Sequence, residues 1–299
     1  MKKLCFPLLA AAALALICSC APKNEPAKAK HLFLIGLDGF SSEAWEQAEM
    51  PFVKSLAEKG AYTLKKRSTL PSWSAVNWAS MFMGVPTEIH GFLDNTESPE
   101  VPPRVVNAQG MSTTIFRLMR DAHPDAEIGF LYDWDGIKYL VDTLAMSKCA
   151  GSGSLDPDVL CSMAVDYVAC KPDLAAFIFD NPDHIGHESG WCSPEYYDIC
   201  KKLDGCVEAI CKAIEEAGIL DESIIIVTSD HGGIDHRHGG PTINELEAPF
   251  VICGKGIKKD FCFDDISMMQ YDIASTMAAI LGLEQPQSWT GRAMPVFEK

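Results

Sequence analysis

The chain has 299 residues, 47% of them hydrophobic and 22% charged, with a mean hydropathy of +0.04. This composition excludes a disordered chain, a collagen-like repeat and a multi-span membrane protein, and the length suits one large α/β domain. The balance of 25 Lys+Arg against 41 Asp+Glu, a formal net of -16, excludes a nucleic-acid polymer as partner, because so negative a surface repels phosphate backbones. Small anionic substrates stay open, since bound cations reverse the sign of the field locally.

Lys2 and Lys3 precede an apolar stretch over 4–17 that is too short to span a bilayer. It ends in Ile17-Cys18-Ser19-Cys20, which resembles the lipobox of bacterial lipoproteins. The expectation is a signal peptide over 1–19, a lipid on Cys20, a polar tether over 20–30 and one catalytic domain over 31–299. The protein would then be exported and held in the periplasm or at the cell surface, touching the membrane only through that lipid. Nine cysteines remain beyond Cys20, an odd number, with no CxxC pair to suggest a zinc ribbon or thioredoxin-like motif. Cys200, Cys206 and Cys211 share a helical pattern with Leu203, Val207, Ile210 and Ile214 and read as small buried hydrophobes.

After the tether, HLFLIGLDG reads as a buried strand ending at Asp38. A short amphipathic helix follows over 51–59, closed by Gly60. AEIGFLYDW, DLAAFIFD, ESIIIVTSD and APFVICG are further strands. Each is unbroken rather than alternating, as expected where both sheet faces are covered. Helices are predicted over 75–83, 113–121, 157–170, 194–217 and 270–281. This alternation predicts an α/β fold with a doubly wound, mainly parallel sheet and helices on both faces.

Three of these strands end in aspartate, at Asp38, Asp180 and Asp230, and open α/β sheets bind ligands beyond the carboxyl ends of their strands. Taken alone, a strand-terminal Asp is a turn or cap residue. Here Asp183 and His187 stand four apart just past one strand, Asp230-His231 end another, and His236-Arg-His238 follow. Five of the eight histidines thus fall in two short segments. Mixed Asp/His donors suit Zn²⁺, with Mn²⁺ the alternative, whereas all-oxygen sets suit Ca²⁺ or Mg²⁺.

This series resembles the metal ligands of the alkaline phosphatase superfamily and, more narrowly, of the type I phosphodiesterase/nucleotide pyrophosphatase family. The resemblance runs from about Leu32 to the C-terminus and implies an alkaline-phosphatase-like fold. In that family a Thr or Ser opens a helix in a T-x-x-N pattern, followed by T-G-x-x-P-x-x-H-G and an Asn. Ser74-Ala-Val-Asn77 and Gly84-Val-Pro-Thr-Glu-Ile-His90-Gly match, with Asn95 beyond. The register puts the nucleophile on Ser74 and a phosphate-contacting amide on Asn95. Ser72 lies two residues away but lacks the Asn offset. Physically, Ser74 is expected to N-cap its helix, whose N-terminus favours a phosphoryl group.

The resemblance implies two divalent ions, one on Asp38, Asp230, His231 and Ser74, the other on Asp183, His187 and His238. Such pairs sit about 3.5–4 Å apart and clamp both oxygens of an in-line displacement. The implied activity is hydrolysis of a small, nucleotide-like phosphodiester or pyrophosphate through a phosphoserine on Ser74. A phosphomonoesterase or phosphonate hydrolase would use the same ligands. A sulfatase needs a C/S-x-P-x-R signature, which Ser74-Ala-Val-Asn lacks, and a metal-binding lipoprotein without turnover would need no nucleophile. His90 reads as structural, His31 and His123 as surface residues, and His184 and His236 as poorer fits than His187 and His238. Asp180 is expected to orient the loop or a ligand imidazole, and Trp73 and Trp78 flank the nucleophile as stacking or core residues.

Overall fold

The computed structural model describes residues 28–298; the expected signal, Cys20 and residues 21–27 of the tether lie outside them. Eight strands form one sheet in the order β4-β3-β5-β1-β6-β7-β2-β8. They are β1 His31–Leu37, β2 Ala61–Arg67, β3 Ile128–Tyr132, β4 Lys148–Gly151, β5 Leu174–Phe179, β6 Ser223–Thr228, β7 Glu247–Gly254 and β8 Phe261–Cys262. β7 is antiparallel to both its neighbours, β6 and β2, and the other pairings are parallel. The expected mainly parallel α/β sheet is therefore present. β2, β4 and β8 are additions that the sequence pattern did not show.

The helices are α1 Pro51–Glu58, α2 Ser74–Met83, α3 Thr87–His90, α4 Ile115–Ala122, α5 Pro157–Val168, α6 Asp183–Ser189, α7 Pro194–Glu216, α8 Ile243–Leu246 and α9 Asp272–Leu281. Apolar residues of α2, α4 and α9 pack on one sheet face with Leu32 and Leu34 of β1. Those of α1, α5 and α7 pack on the other with Phe33 and Ile35. β1 thus buries both of its faces, which explains its unbroken apolar run.

Register brings the site together. β1 lies between β5 and β6, pairing Leu37 with Phe179 and Gly36 with Thr228. The three strands end level, so the segments holding Asp38, Asp180 and Asp230 emerge side by side. Two glycines allow close approach. A Cβ on Gly36 would sit 2.4 Å from the Trp78 ring, so its absence lets α2 lie against β1. Gly39 has φ +70, and a Cβ there would come within 2.8 Å of Asp183.

Candidate active site

Ser74 is the first residue of α2, with extended Trp73 at the N-cap and left-handed Gly84 at the C-cap. The expectation that Ser74 caps its own helix is corrected, because no side chain caps from Trp73 and Ser74 Oγ points elsewhere. It lies 3.1 Å from His231 Nε2. The capping comes from Asn95, whose Oδ1 accepts from the Ala75 N–H at 2.8 Å. That bond commits the carboxamide oxygen and leaves the amide –NH₂ as the end that can donate. Asn77 pins the approach to the helix. Its Oδ1 accepts from the Thr69 N–H at 2.7 Å, and its Nδ2 donates to Trp73 O at 3.0 Å.

Around His231 Nε2, Asp230 Oδ2 lies at 3.2 Å and Asp38 Oδ1 at 3.4 Å. Ser74 Oγ completes this inner cluster. In an adjoining outer cluster, Asp183 Oδ1 lies 3.5 Å from His238 Nε2, and Asp183 Oδ2 lies 3.5 Å from His187 Nε2. Asp183 and His187 are four apart on α6, so helical geometry sets both on one face. The His231 and His238 rings stack at 3.8 Å between centroids, which joins the clusters. Trp78 Nε1 donates to Asp38 Oδ2 at 2.9 Å and so turns Oδ1 toward the pit.

The donor set fits divalent cations. His231 Nδ1 donates to Gly232 O, His238 Nδ1 to Ser72 O and His187 Nδ1 to His236 O. Each Nε2 then carries a lone pair, and these lone pairs face carboxylate oxygens. Such an arrangement is repulsive unless a cation lies between. Asp38 Oδ1, Asp183 Oδ1 and Asp230 Oδ2 are buried without a hydrogen-bond partner. Among the described residues, two groups have ligand atoms within 4.8 Å of one another, Asp38/Asp230/His231 and Asp183/His231/His238. His231 is common to both, and His187, expected in the second set, belongs to neither and of the carboxylates reaches only Asp183 Oδ2.

The electrostatics say the same. Burial, reinforced by the carboxylates of Asp230, Asp183 and Asp180, pushes the Asp38 carboxyl well above its ordinary range. Asp183 rises for the same reasons, burial first and then Asp230 and Asp180. Burial lifts Asp230 to about 6 and drives His231 and His238 down to about 3. Acids pushed up and imidazoles pushed down together mark a desolvated pit that is short of positive charge.

The remaining sequence candidates fall outside the ligand groups. His184 pairs with Glu188 at 3.3 Å, and His236 Nδ1 lies 3.1 Å from His187 O. Asp180 does not orient the three imidazoles, since backbone carbonyls hold their Nδ1 atoms; its N–H donates to Asp133 Oδ2. His90 is fully buried, accepting from the Phe92 N–H at Nδ1, so its protonated Nε2 donates to Ser80 Oγ. Trp73 stands edge-on to His238 at 5.0 Å.

Two supports escaped sequence reading. Ser72 Oγ donates to Gly240 O and accepts from the Gly239 N–H, while its carbonyl holds His238. Trp191 packs edge-on to His187 and anchors through Nε1 to Gly39 O. The Ser72 contacts and the Trp191 anchor on Gly39 join residues more than 150 positions apart, and no local signal marks them.

A serine hydroxyl, three carboxylates and three imidazoles thus gather beyond the ends of the central strands β5, β1 and β6, where the resemblance to the alkaline phosphatase superfamily expects its ligands. A profile of type I phosphodiesterases/nucleotide pyrophosphatases matches residues 32–110 and 133–247, and the chain belongs to that family. GPI ethanolamine phosphate transferase 2 of Aspergillus fumigatus is 31% identical over 140 residues, 42% of this chain and 18% of that protein. The 2,3-bisphosphoglycerate-independent phosphoglycerate mutase of Salmonella typhi is 28% identical over 134 residues, 43% of this chain and 24% of that protein. The chain thus spans a quarter or less of the length of these curated relatives. Among solved structures, murine ectonucleotide pyrophosphatase/phosphodiesterase 5 in complex with AMP superposes with a TM-score of 0.71. It is 14% identical, over 92% of this chain and 98% of that one. A 2-O GAG sulfatase superposes at 0.70, also 14% identical, over 89% and 73%. At these identities the structural likeness concerns the fold.

Proposed function

We propose that the protein hydrolyses a phosphodiester or pyrophosphate bond of a small nucleotide-like substrate through a covalent intermediate on Ser74. The observation that carries this reading is the Ser74 hydroxyl, 3.1 Å from His231 Nε2 at the start of α2, beside three unpartnered buried carboxylate oxygens. The AMP held by the murine protein of the same fold supports the nucleotide-like substrate. Asp38, Asp230, His231 and Ser74 would hold one divalent cation and Asp183, His187 and His238 a second. Bound there, the cations supply charge neutralisation and acidify the serine hydroxyl and the attacking water.

Ser74 Oγ loses its proton to solvent and forms a bond to phosphorus as the bond to the leaving oxygen breaks, and that oxygen departs with a proton from solvent. The product is a serine phosphoryl ester that keeps the substrate's other arm. The Asn95 amide donates to a non-bridging oxygen, while its Oδ1 stays on the Ala75 N–H. The positive end of α2 stabilises the phosphoryl charge. Water then attacks from the vacated side and regenerates Ser74. Two in-line displacements give net retention at phosphorus.

The test compares a chromogenic phosphodiester with its monoester and sulfate analogues, with and without chelator. Chelator-sensitive turnover favouring the diester is expected. Preference for the monoester or the sulfate contradicts the substrate assignment. Export and anchoring through Cys20 belong to the same reading. Cys20→Ser should release the protein from the membrane fraction, and unchanged fractionation contradicts anchoring.

A further inference from the structure

Lys66 is fully buried beneath the site, and nothing in the reaction uses it. It reaches that place through an irregularity in β2. The pairing of β2 with β7 shifts register between Thr63 and Lys66. Thr63 and Lys66 are buried, whereas Leu64 and Lys65 between them are not. Bulges of this kind re-aim side chains next to active sites. Lys66 Nζ donates to Ser229 O at 2.7 Å and to Gln270 Oε1.

Two residues on, Ser68 Oγ donates to Asp230 O at 2.6 Å. Ser229 Oγ donates to His231 O at 2.8 Å and accepts from the Phe40 N–H. The carbonyls of residues 229, 230 and 231 therefore each have a side-chain donor. These are the peptide planes from which the Asp230 carboxylate and the His231 ring project.

We propose that Lys66 is a positioning residue that sets the inner cation cluster by gripping the loop carbonyl ahead of Asp230. The assignment rests on the divalent-cation reading of the site. Its logic lies in what Lys66 avoids as much as in what it holds. An ammonium bonded directly to Asp230 would compete with a cation for that carboxylate. By holding Ser229 O instead, Lys66 fixes the loop and leaves Asp230 Oδ2 without a partner and aimed into the pit. A purely structural role at this position would be filled as well by an apolar side chain of similar length, because burying an amine is unfavourable.

The experiment is a calorimetric titration of metal-free protein with Zn²⁺ alone, comparing wild type, Lys66→Met and Ser68→Ala. Asp230→Ala marks which binding step belongs to the inner cluster. Lys66→Met should weaken that step about 10- to 100-fold, the usual effect of losing a group that holds a ligand. The outer step and the melting temperature of the metal-free protein should stay near wild type. Ser68→Ala should weaken the same step by less, and it decides the matter should Lys66→Met fail to fold. Wild-type affinity at both steps in these variants, or equal weakening of both, overturns the proposal. Wild type that binds no Zn²⁺ defeats the underlying cation reading instead.

Discussion

The inner and outer clusters share one pit but differ in construction. Asp38, Asp230 and His231 root at strand ends, with side chains 4%, 0% and 0% exposed. In the outer cluster His238 is also buried, with its side chain 2% exposed, and the exposure lies with Asp183 and His187 on the seven-residue α6, at 13% and 42%. Behind the inner cluster, side-chain donors hold three successive carbonyls. Behind the outer one, His187 and His236 hold each other through reciprocal ring-to-carbonyl contacts in exposed segments. Desolvated, fixed ligands bind a cation more tightly than mobile, hydrated ones. The comparison therefore assigns tight binding to the inner half and exchange with solvent to the outer half.

The largest expected contrast is between Asp230→Ala and His187→Ala. Asp230→Ala should remove turnover by on the order of 10³-fold or more, with no recovery in excess Zn²⁺, because no solvent reaches the vacated position. His187→Ala opens onto water, which can replace a ligand, so excess Zn²⁺ should restore part of its rate. Equal losses and equal rescue, measured as kcat/KM against Zn²⁺ concentration, would erase the distinction. A chelator time course sharpens the same point. Zinc release should be biphasic, with the faster phase missing in His187→Ala.

Ser72→Ala tests the support of the outer half. The variant keeps the carbonyl that accepts from His238 Nδ1 but removes the hydroxyl that ties Gly239 and Gly240, so the segment carrying His238 is held less firmly. Outer-site affinity should fall about tenfold with the inner site unchanged, and a wild-type titration curve would show the tie to be dispensable.

The smallest effect concerns His90, which belongs to neither half. Burial lowers its pKa from 6.5 to about 4, so the fold disfavours the imidazolium. Stability from the neutral ring is fully present above pH 6.5 and is lost as pH falls through 4. Chemical denaturation should show the stability difference between wild type and His90→Gln narrowing over that interval. A constant difference would contradict a buried, neutral His90.

The parts visible in the sequence are those written locally. Buried parallel strands appear as unbroken apolar runs, and the ligands cluster because strand ends and one face of α6 concentrate them. β2 was hidden because AYTLKKR carries three cations and its bulge breaks the alternation. The antiparallel direction of β7 leaves no mark, since its apolar run matches that of a parallel strand. The register placed Ser74 at the head of α2, but the cap belongs to Asn95, twenty residues beyond the Ala75 N–H it accepts from. Lys66, Ser68 and Ser72 hold carbonyls more than 160 residues away, and no local pattern encodes such a contact.

The central claim is that Ser74 carries the phosphoryl group. Zinc-loaded protein would be mixed with a phosphodiester, quenched in acid at short times, and its peptides weighed by mass spectrometry. The peptide containing Ser74 should gain the transferred phosphoryl group with its remaining ester, on that serine. Ser74→Ala should show no adduct and almost no turnover while still binding zinc. Efficient hydrolysis by Ser74→Ala, with no adduct in wild type at any quench time, would mean that water attacks phosphorus directly and would contradict the account.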